Sequence, residues 1–304
     1  MTGANGFRIW KDDTVSQAEP ARGRRARPAS GVDSAPATSA AFAELVLVPG
    51  ALHTVFQPIL RCGNKGRTLH AFECLTRGPA GSLYMEAPAL FGAARQWHLE
   101  VELDRACVVT ALRTVAQYAI TSALFINVHP FTLMSDRAFP VRLVAIAAEY
   151  SIPPSRLTVE VIEHGRDWDA RSLAAGVQAL RRLGVRVALD DYGAAPADAQ
   201  ALAGTCRPDV VKLDERLFRG AEEGTAEHHR LTSLVEEARQ DGIQVIVERV
   251  DGESDLLLAS RLGIDLAQGH FLHRPLPADA AAWRLCPKGF AERWNSIGCT
   301  GEIT

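Results

Sequence analysis

From residue 54 onward, short β-branched and apolar runs alternate with longer segments of helical period. The strand-like runs are TVFQPIL (54–60), TLHAFECL (68–75), ALFINV (123–128), LTVEVIE (157–163), VRVALDD (185–191), DVVKLD (209–214), IQVIVE (243–248) and a short IDLAQ (264–268). Between the last six lie RAFPVRLVAIAAEY, ARSLAAGVQALRRLG and HHRLTSLVEEARQDG, which carry the apolar spacing of amphipathic helices. The last two close on the glycines expected past a helix C-terminus. Such alternation belongs to α/β folds rather than to bundles or sandwiches, and right-handed crossovers make the strands parallel. The first two runs are separated only by RCGNKGR, shorter than the dozen or so residues a parallel crossover needs, so they form an antiparallel hairpin. The pattern predicts an α/β fold, a modified (β/α)8 TIM-like barrel with its first strand antiparallel. A doubly wound open sheet is the structural alternative.

The first 42 residues depart from this pattern, crowding Pro, Ala, Ser, Gly and Arg in PARGRRARPASGVDSAPATSA. They read as a disordered tail, followed by one barrel domain over 43–290 and a short C-terminal tail over 291–304. A net charge of -3 and a pI near 6.3 provide no general basic field for long nucleic acid or a membrane surface. Arginines 22, 24, 25 and 27 leave a protein partner of the tail open, as the chain leaves open a homodimer. Six cysteines without a C-x-x-C pair read as reduced thiols rather than a disulfide scaffold or zinc ribbon. No apolar run approaches the roughly 20 residues of a membrane span, and the N-terminus lacks a signal peptide's apolar segment. These features predict a cytoplasmic protein.

In a barrel, chemistry is built at the C-terminal ends of the strands, and here nearly every strand ends on a polar residue. Glu73, Asn127, Glu160, Asp190, Asp191, Lys212, Glu248 and Gln268 come from seven different runs. A single acid at a strand end is ordinarily solvated or caps the next helix. Five carboxylates at one mouth repel one another and call for a cation. Carboxylates with an Asn carbonyl, without clustered Cys or His, are hard oxygen donors suited to Mg2+ or Mn2+. His228-His229 and His270-x-x-His273 lack partners at zinc-ligand spacing, and His129 reads as an exposed loop imidazole. No Gly-rich phosphate loop is present.

FQPIL, AFECLTR, FINVHP, LTVEVIE, VALDDYG, PDVVKLD, VIVERVD and AQGHFLHRPLP, in this order, resemble the EAL-domain family of cyclic di-GMP phosphodiesterases over about residues 53–277. The resemblance implies a barrel with an antiparallel first strand. It also implies hydrolysis of cyclic di-GMP to linear 5′-pGpG at a site of two Mg2+ or Mn2+ ions. By that resemblance Glu73, Asn127, Glu160 and Asp190 hold one ion, and Asp190, Asp191 and Glu248 the other. Lys212 matches the lysine holding the attacking water, and Gln268 the glutamine that orders that network. Arg77 matches a phosphate contact, Gln57 lines the pocket, and Glu163 braces the loop after DDYG.

The chain departs from the family pattern in four places. The name motif reads Glu73-Cys74-Leu75, Arg249 stands where the family has Gly, and Asp251 replaces a Glu. After DDYG, Ala194-Ala195-Pro196-Ala197-Asp198 replaces a second glycine and a Ser pair. Two other functions therefore stay in view. One is a weak or silent cyclic di-GMP receptor or protein-interaction module. The other is a different metal-dependent barrel enzyme with Lys212 as its base.

Overall fold

The computed structural model describes residues 38–63, 66–161, 169–193, 204, 206–213, 215–219, 221 and 223–284. Glu163, residues 194–203 and both chain ends lie outside these residues. Eight strands follow in chain order: β1 (His53–Gly63), β2 (Gly66–Arg77), β3 (Ala123–Val128), β4 (Leu157–Val161), β5 (Arg186–Tyr192), β6 (Val210–Leu213), β7 (Gln244–Val247) and β8 (Leu266–Ala267). They close into one barrel in that order. β1 runs antiparallel to both β2 and β8, and the other neighbours are parallel. The closed ring excludes the open-sheet alternative, and the hairpin forms where the short connection required it.

Helices cover the outside: α1 (Ser39–Val46), α2 (Ala87–Gln96), α3 (Glu100–Gln117), α4 (Pro130–Ser135), α5 (Phe139–Glu149), α6 (Ala170–Arg182), α7 (Glu215–Arg219), α8 (Ala226–Gln240), α9 (Glu253–Arg261) and α10 (Ala278–Arg284). α5, α6 and α8 occupy the three periodic segments. α1 takes in residues 39–42 of the stretch that composition assigns to a tail. Thr38 caps it, accepting a hydrogen bond from the Ala41 N–H at 3.2 Å. Phe42 is fully buried and meets Tyr84 edge-on at 5.2 Å. No described helix is long and apolar enough to cross a membrane.

Alternation along the strands divides the core. Phe56, Phe72, Cys74, Ile126, Val159 and Val187 face outward into the main cluster under the helices. Ile59, Ala71, Phe125, Ala188, Val210, Ile246 and Leu266 form a separate cluster that fills the barrel. Cys74 therefore lies in the outer core, on the face opposite Glu73.

The turn after β3 is held from below by Asp104 of α3. Its Oδ2 accepts from the His129 N–H at 2.8 Å and the Thr132 hydroxyl at 2.5 Å. Burial pushes this carboxyl up to about 7, against the pull of both hydrogen bonds, and Glu100 adds to the rise. The folded value lies above the unfolded one near 3.8. The unfolded chain therefore releases its proton first, and stability falls between about pH 4 and pH 7. We expect urea melts of the native chain to lose on the order of a few kcal/mol across that window relative to Asp104→Asn. Parallel pH profiles for the two proteins would refute this role.

Candidate active site

Every strand-end residue except Asp191 stands two positions beyond a residue of the barrel interior, so the period of two that aims one inward aims the other inward as well. Ala71 leads to Glu73, Phe125 to Asn127, Ala188 to Asp190, Val210 to Lys212, Ile246 to Glu248 and Leu266 to Gln268. On β4 the lower position is the buried Thr158, beneath Glu160. An apolar plug thus underlies a polar layer at the C-terminal mouth.

Lys212 is the hub of that layer. Its side chain is 1% exposed, and Nζ lies 2.6 Å from Glu248 Oε1, 2.7 Å from Glu160 Oε1 and 3.3 Å from Glu73 Oε2. Those contacts match the three N–H donors an ammonium possesses. Glu73 also accepts from Asn127 Nδ2 at 2.8 Å and from Gln268 Nε2 at 2.6 Å. Burial pushes the Glu73 carboxyl up, but Lys212 and these donors outweigh it and leave it below the usual range. Burial drives Glu160 well above its ordinary value, against Lys212 and with the help of Glu73, Asp190 and Glu248. Glu248 is raised well above its ordinary value too, by burial first and then by Asp190 and Glu73, again against Lys212. Burial favours a neutral Lys212, yet Glu160, Glu248, Glu73 and Asp190 together hold it charged.

A break in the alternation adds the last acid. In the β5–β6 pairing Leu189 faces Val211 and Tyr192 faces Leu213. Asp190 and Asp191 therefore share the place opposite Lys212, the two-against-one arrangement of a bulge. Asp191 takes φ +51, which turns back toward the mouth a side chain that strict alternation would send outward. Asp190 Oδ1 accepts from the Asp191 N–H at 3.0 Å. Ligand atoms of Asp190, Asp191 and Glu248 lie within 4.8 Å of one another, as do those of Glu73, Glu160 and Glu248.

This donor set fits divalent cations. Glu160 Oε2 and Gln268 Oε1 are buried without a hydrogen-bond partner among the described residues, and a buried acceptor without a donor is costly unless something positive meets it. Lys212 brings one positive charge to three carboxylates, with Asp190 and Asp191 beside them. The donors are oxygen and hard, with no thiol or imidazole joining the two groups among the described residues, as magnesium and manganese prefer.

The remaining sequence candidates sit at the rim. Gln57 pairs in register with Glu73 across the hairpin, and its Nε2 donates to the His273 carbonyl at 3.3 Å. Arg77 closes β2, with Nε 3.5 Å from Glu86 Oε2 and Nη1 donating to the Thr76 carbonyl at 3.0 Å. Neither joins the carboxylate layer, and Glu163 lies outside the described residues. His129 is more than an exposed imidazole: it is half-buried and caps α4, its Nδ1 accepting from the Phe131 N–H at 3.2 Å. Its Nε2 lies 3.2 Å from Arg95. The His-Pro pair at 129–130, where Pro opens the helix, carried a signal for this cap.

Comparison with known proteins bears on the family and the fold. The family model for the EAL domain matches residues 45–275. The cyclic di-GMP phosphodiesterase RocR of Pseudomonas aeruginosa is 30% identical over 165 residues, 54% of this chain and 42% of that protein. The cyclic di-GMP phosphodiesterase PdeF of Escherichia coli is 25% identical over 224 residues, 73% of this chain and 29% of that protein. The chain thus spans less than half the length of either relative. Klebsiella pneumoniae BlrP1, solved as a calcium and cyclic di-GMP complex, superposes with a TM-score of 0.67 at 25% identity over 75% of this chain and 57% of its own. A standalone EAL protein of Vibrio cholerae, 23% identical, shares the fold with a TM-score of 0.65 over 76% of this chain and 94% of its own.

The hub makes a stability prediction independent of catalysis. Lys212→Met strands two buried carboxylates and the partly buried Glu248, a loss of about 3–5 kcal/mol in EDTA. Mn2+ should recover more of the melting temperature in this variant than in the native chain. A variant that melts like the native chain in EDTA would show that the ammonium is not what holds the layer together.

Proposed function

We propose, from the chain's membership of the EAL domain family and its mouth of carboxylates, that the protein hydrolyses cyclic di-GMP to linear 5′-pGpG with two divalent cations, Mg2+ or Mn2+. The observation that carries this reading is the pair of overlapping acidic groups, Glu73–Glu160–Glu248 and Asp190–Asp191–Glu248, around one buried ammonium. Glu73, Asn127, Glu160 and Asp190 would hold one ion, and Asp190, Asp191 and Glu248 the other. When bound, the two ions acidify water and neutralise the attacking and leaving oxygens of an in-line displacement.

The chain's own residues supply position. All three N–H donors of Lys212 are engaged by carboxylates, and the Glu73 contact, at 3.3 Å, is the longest. It is the one most easily exchanged for the attacking water, whose lone pair Lys212 then orients. Gln268, 2.6 Å from Glu73, keeps that carboxylate in place during the exchange. Arg77 at the rim takes a phosphate of the substrate, and Gln57 lines the pocket beside it.

A second reading, a receptor that binds cyclic di-GMP without turnover, draws on Arg249 beside Glu248 and on the altered sequence from Ala194 to Asp198. A single assay separates the two: purified chain with cyclic di-GMP and Mn2+ or Mg2+, followed for linear product, against binding in Ca2+ or EDTA. We expect turnover, and Asp190→Asn to lower it at least about a hundredfold with the fold intact, because a lost ligand removes several kcal/mol of transition-state stabilisation. Lys212→Ala should reduce kcat far more than it raises KM. Binding without product in both metals would favour the receptor, and unchanged turnover in Asp190→Asn would reject the ligand assignment.

A further inference from the structure

Six described non-glycine residues take positive φ: His98, Ala119 and Ser151 follow helix ends, Arg207 precedes β6, and Asp191 and Arg249 stand at the ends of β5 and β7. These two flank the same acidic group. Arg249 follows Glu248 directly and takes φ +48, a conformation glycine adopts freely and residues with a Cβ reach at a cost. Strain of this kind collects where a site depends on it. The side chain is 67% exposed, and its Nη1 lies 3.2 Å from Oε2 of Glu215, the first residue of α7. The pair therefore links the exit of β6, which carries Lys212, to the exit of β7, which carries Glu248. Burial opposes the guanidinium charge, but Glu215, and then Asp191 and Glu248, more than offset it.

We propose that Arg249 is a fixed cation that weakens the Asp190–Asp191–Glu248 group toward divalent ions, so that the chain fills its Glu73–Asn127–Glu160 side first and this group only at higher ion concentration. The proposal rests on the two-cation reading above and adds a threshold to it. A guanidinium on the residue after Glu248, close enough to feel the charges of Asp191 and Glu248, repels an incoming dication and offsets part of the field that attracts it. Glu215 moderates the effect by neutralising part of the guanidinium charge. Arg249 is thus a positioning residue that sets ion occupancy rather than one that touches the substrate.

The test is Mn2+ binding by the full chain without nucleotide, read by electron paramagnetic resonance of free Mn2+ and by calorimetry. Native chain, Arg249→Gln, Arg249→Lys, Arg249→Gly, Glu215→Gln and Asp191→Asn are compared. We expect two classes of site in the native chain. Arg249→Gln should tighten the weaker class about threefold, the scale of a solvent-screened charge, Arg249→Lys should stay near native, and Glu215→Gln should weaken it. Arg249→Gly, which also relieves the backbone, should tighten it at least as much as Arg249→Gln. Native-like binding in Arg249→Gln, or an equal change in Arg249→Lys, overturns the proposal while leaving the two-cation reading intact. If every protein, including Asp191→Asn, binds the same single ion, the two-cation reading fails and the proposal fails with it.

Discussion

The ammonium of Lys212 is the interaction on which the mouth of this barrel depends. A buried charge survives only when paired and fully hydrogen-bonded. Lys212 meets that demand by reaching Glu73 on β2, Glu160 on β4 and Glu248 beyond β7. These contacts run across the lumen, whereas the backbone ladder runs around it. They tie opposite walls together above the apolar plug of Ile59, Phe125, Val210 and Ile246. The plug excludes water from below, which strengthens every charge interaction above it. The same dryness makes the excess of carboxylate over ammonium expensive, and that excess is what gives the mouth its appetite for cations.

A second constraint is the deliberate irregularity of β5. Regular alternation supplies one inward side chain for every two residues, which limits each strand to one ligand at a given height. The bulge opposite Lys212 lifts that limit and lets two adjacent aspartates serve one site. Gly193 completes the turn at φ +91, where a Cβ would come within 2.2 Å of Leu217 Cδ1. The Arg230 guanidinium donates to its carbonyl at 3.0 Å. The strand therefore leaves the barrel along a path that α7 and α8 fix from outside.

Much of this was legible in the chain because period-two alternation is a local property. Glu73, Asn127, Glu160, Asp190, Lys212, Glu248 and Gln268 each follow an inward position by two, so listing the strands was enough to gather them. The short RCGNKGR link likewise revealed the antiparallel β1. Asp191 was harder: by alternation alone it faces outward, and only the register shift, a property of two strands together, brings it in. Asp104 was not singled out, since nothing in a helical acid's own neighbourhood shows that it meets the N–H of His129, 25 residues away. α2 and α3 fall between the first two strands and the third; α2 buries its apolar residues in the satellite core of Phe42, Tyr84 and Leu90, and α3 divides its own between that core and the barrel. Two buried faces blur the single stripe that marks an amphipathic helix.

The strained backbone at Arg249 is held by the weakest-looking part of the ring. β8 contributes only Leu266 and Ala267 to the sheet, and the seam beside β1 near the mouth is closed partly by a later segment. Phe56 and Leu276 exchange backbone hydrogen bonds at 2.7 and 2.8 Å. Between these two pieces, the Val250 N–H donates to the Gln268 carbonyl at 3.0 Å, and the Val250 carbonyl accepts from the Phe271 N–H at 3.0 Å. Val250 is therefore clamped on both sides immediately after Arg249. Gly269 makes the clamp possible, because a Cβ there would fall 2.2 Å from both the Val250 nitrogen and its carbonyl oxygen. With Val247 fixed in β7 and Val250 fixed to the chain beyond β8, only Glu248 and Arg249 remain to absorb the change of direction. A left-handed residue at 249 is the geometric result. The clamp that orients Gln268 toward Glu73 thus also determines how Glu248 leaves its strand, so the two sides of the carboxylate layer are set by one stretch of backbone.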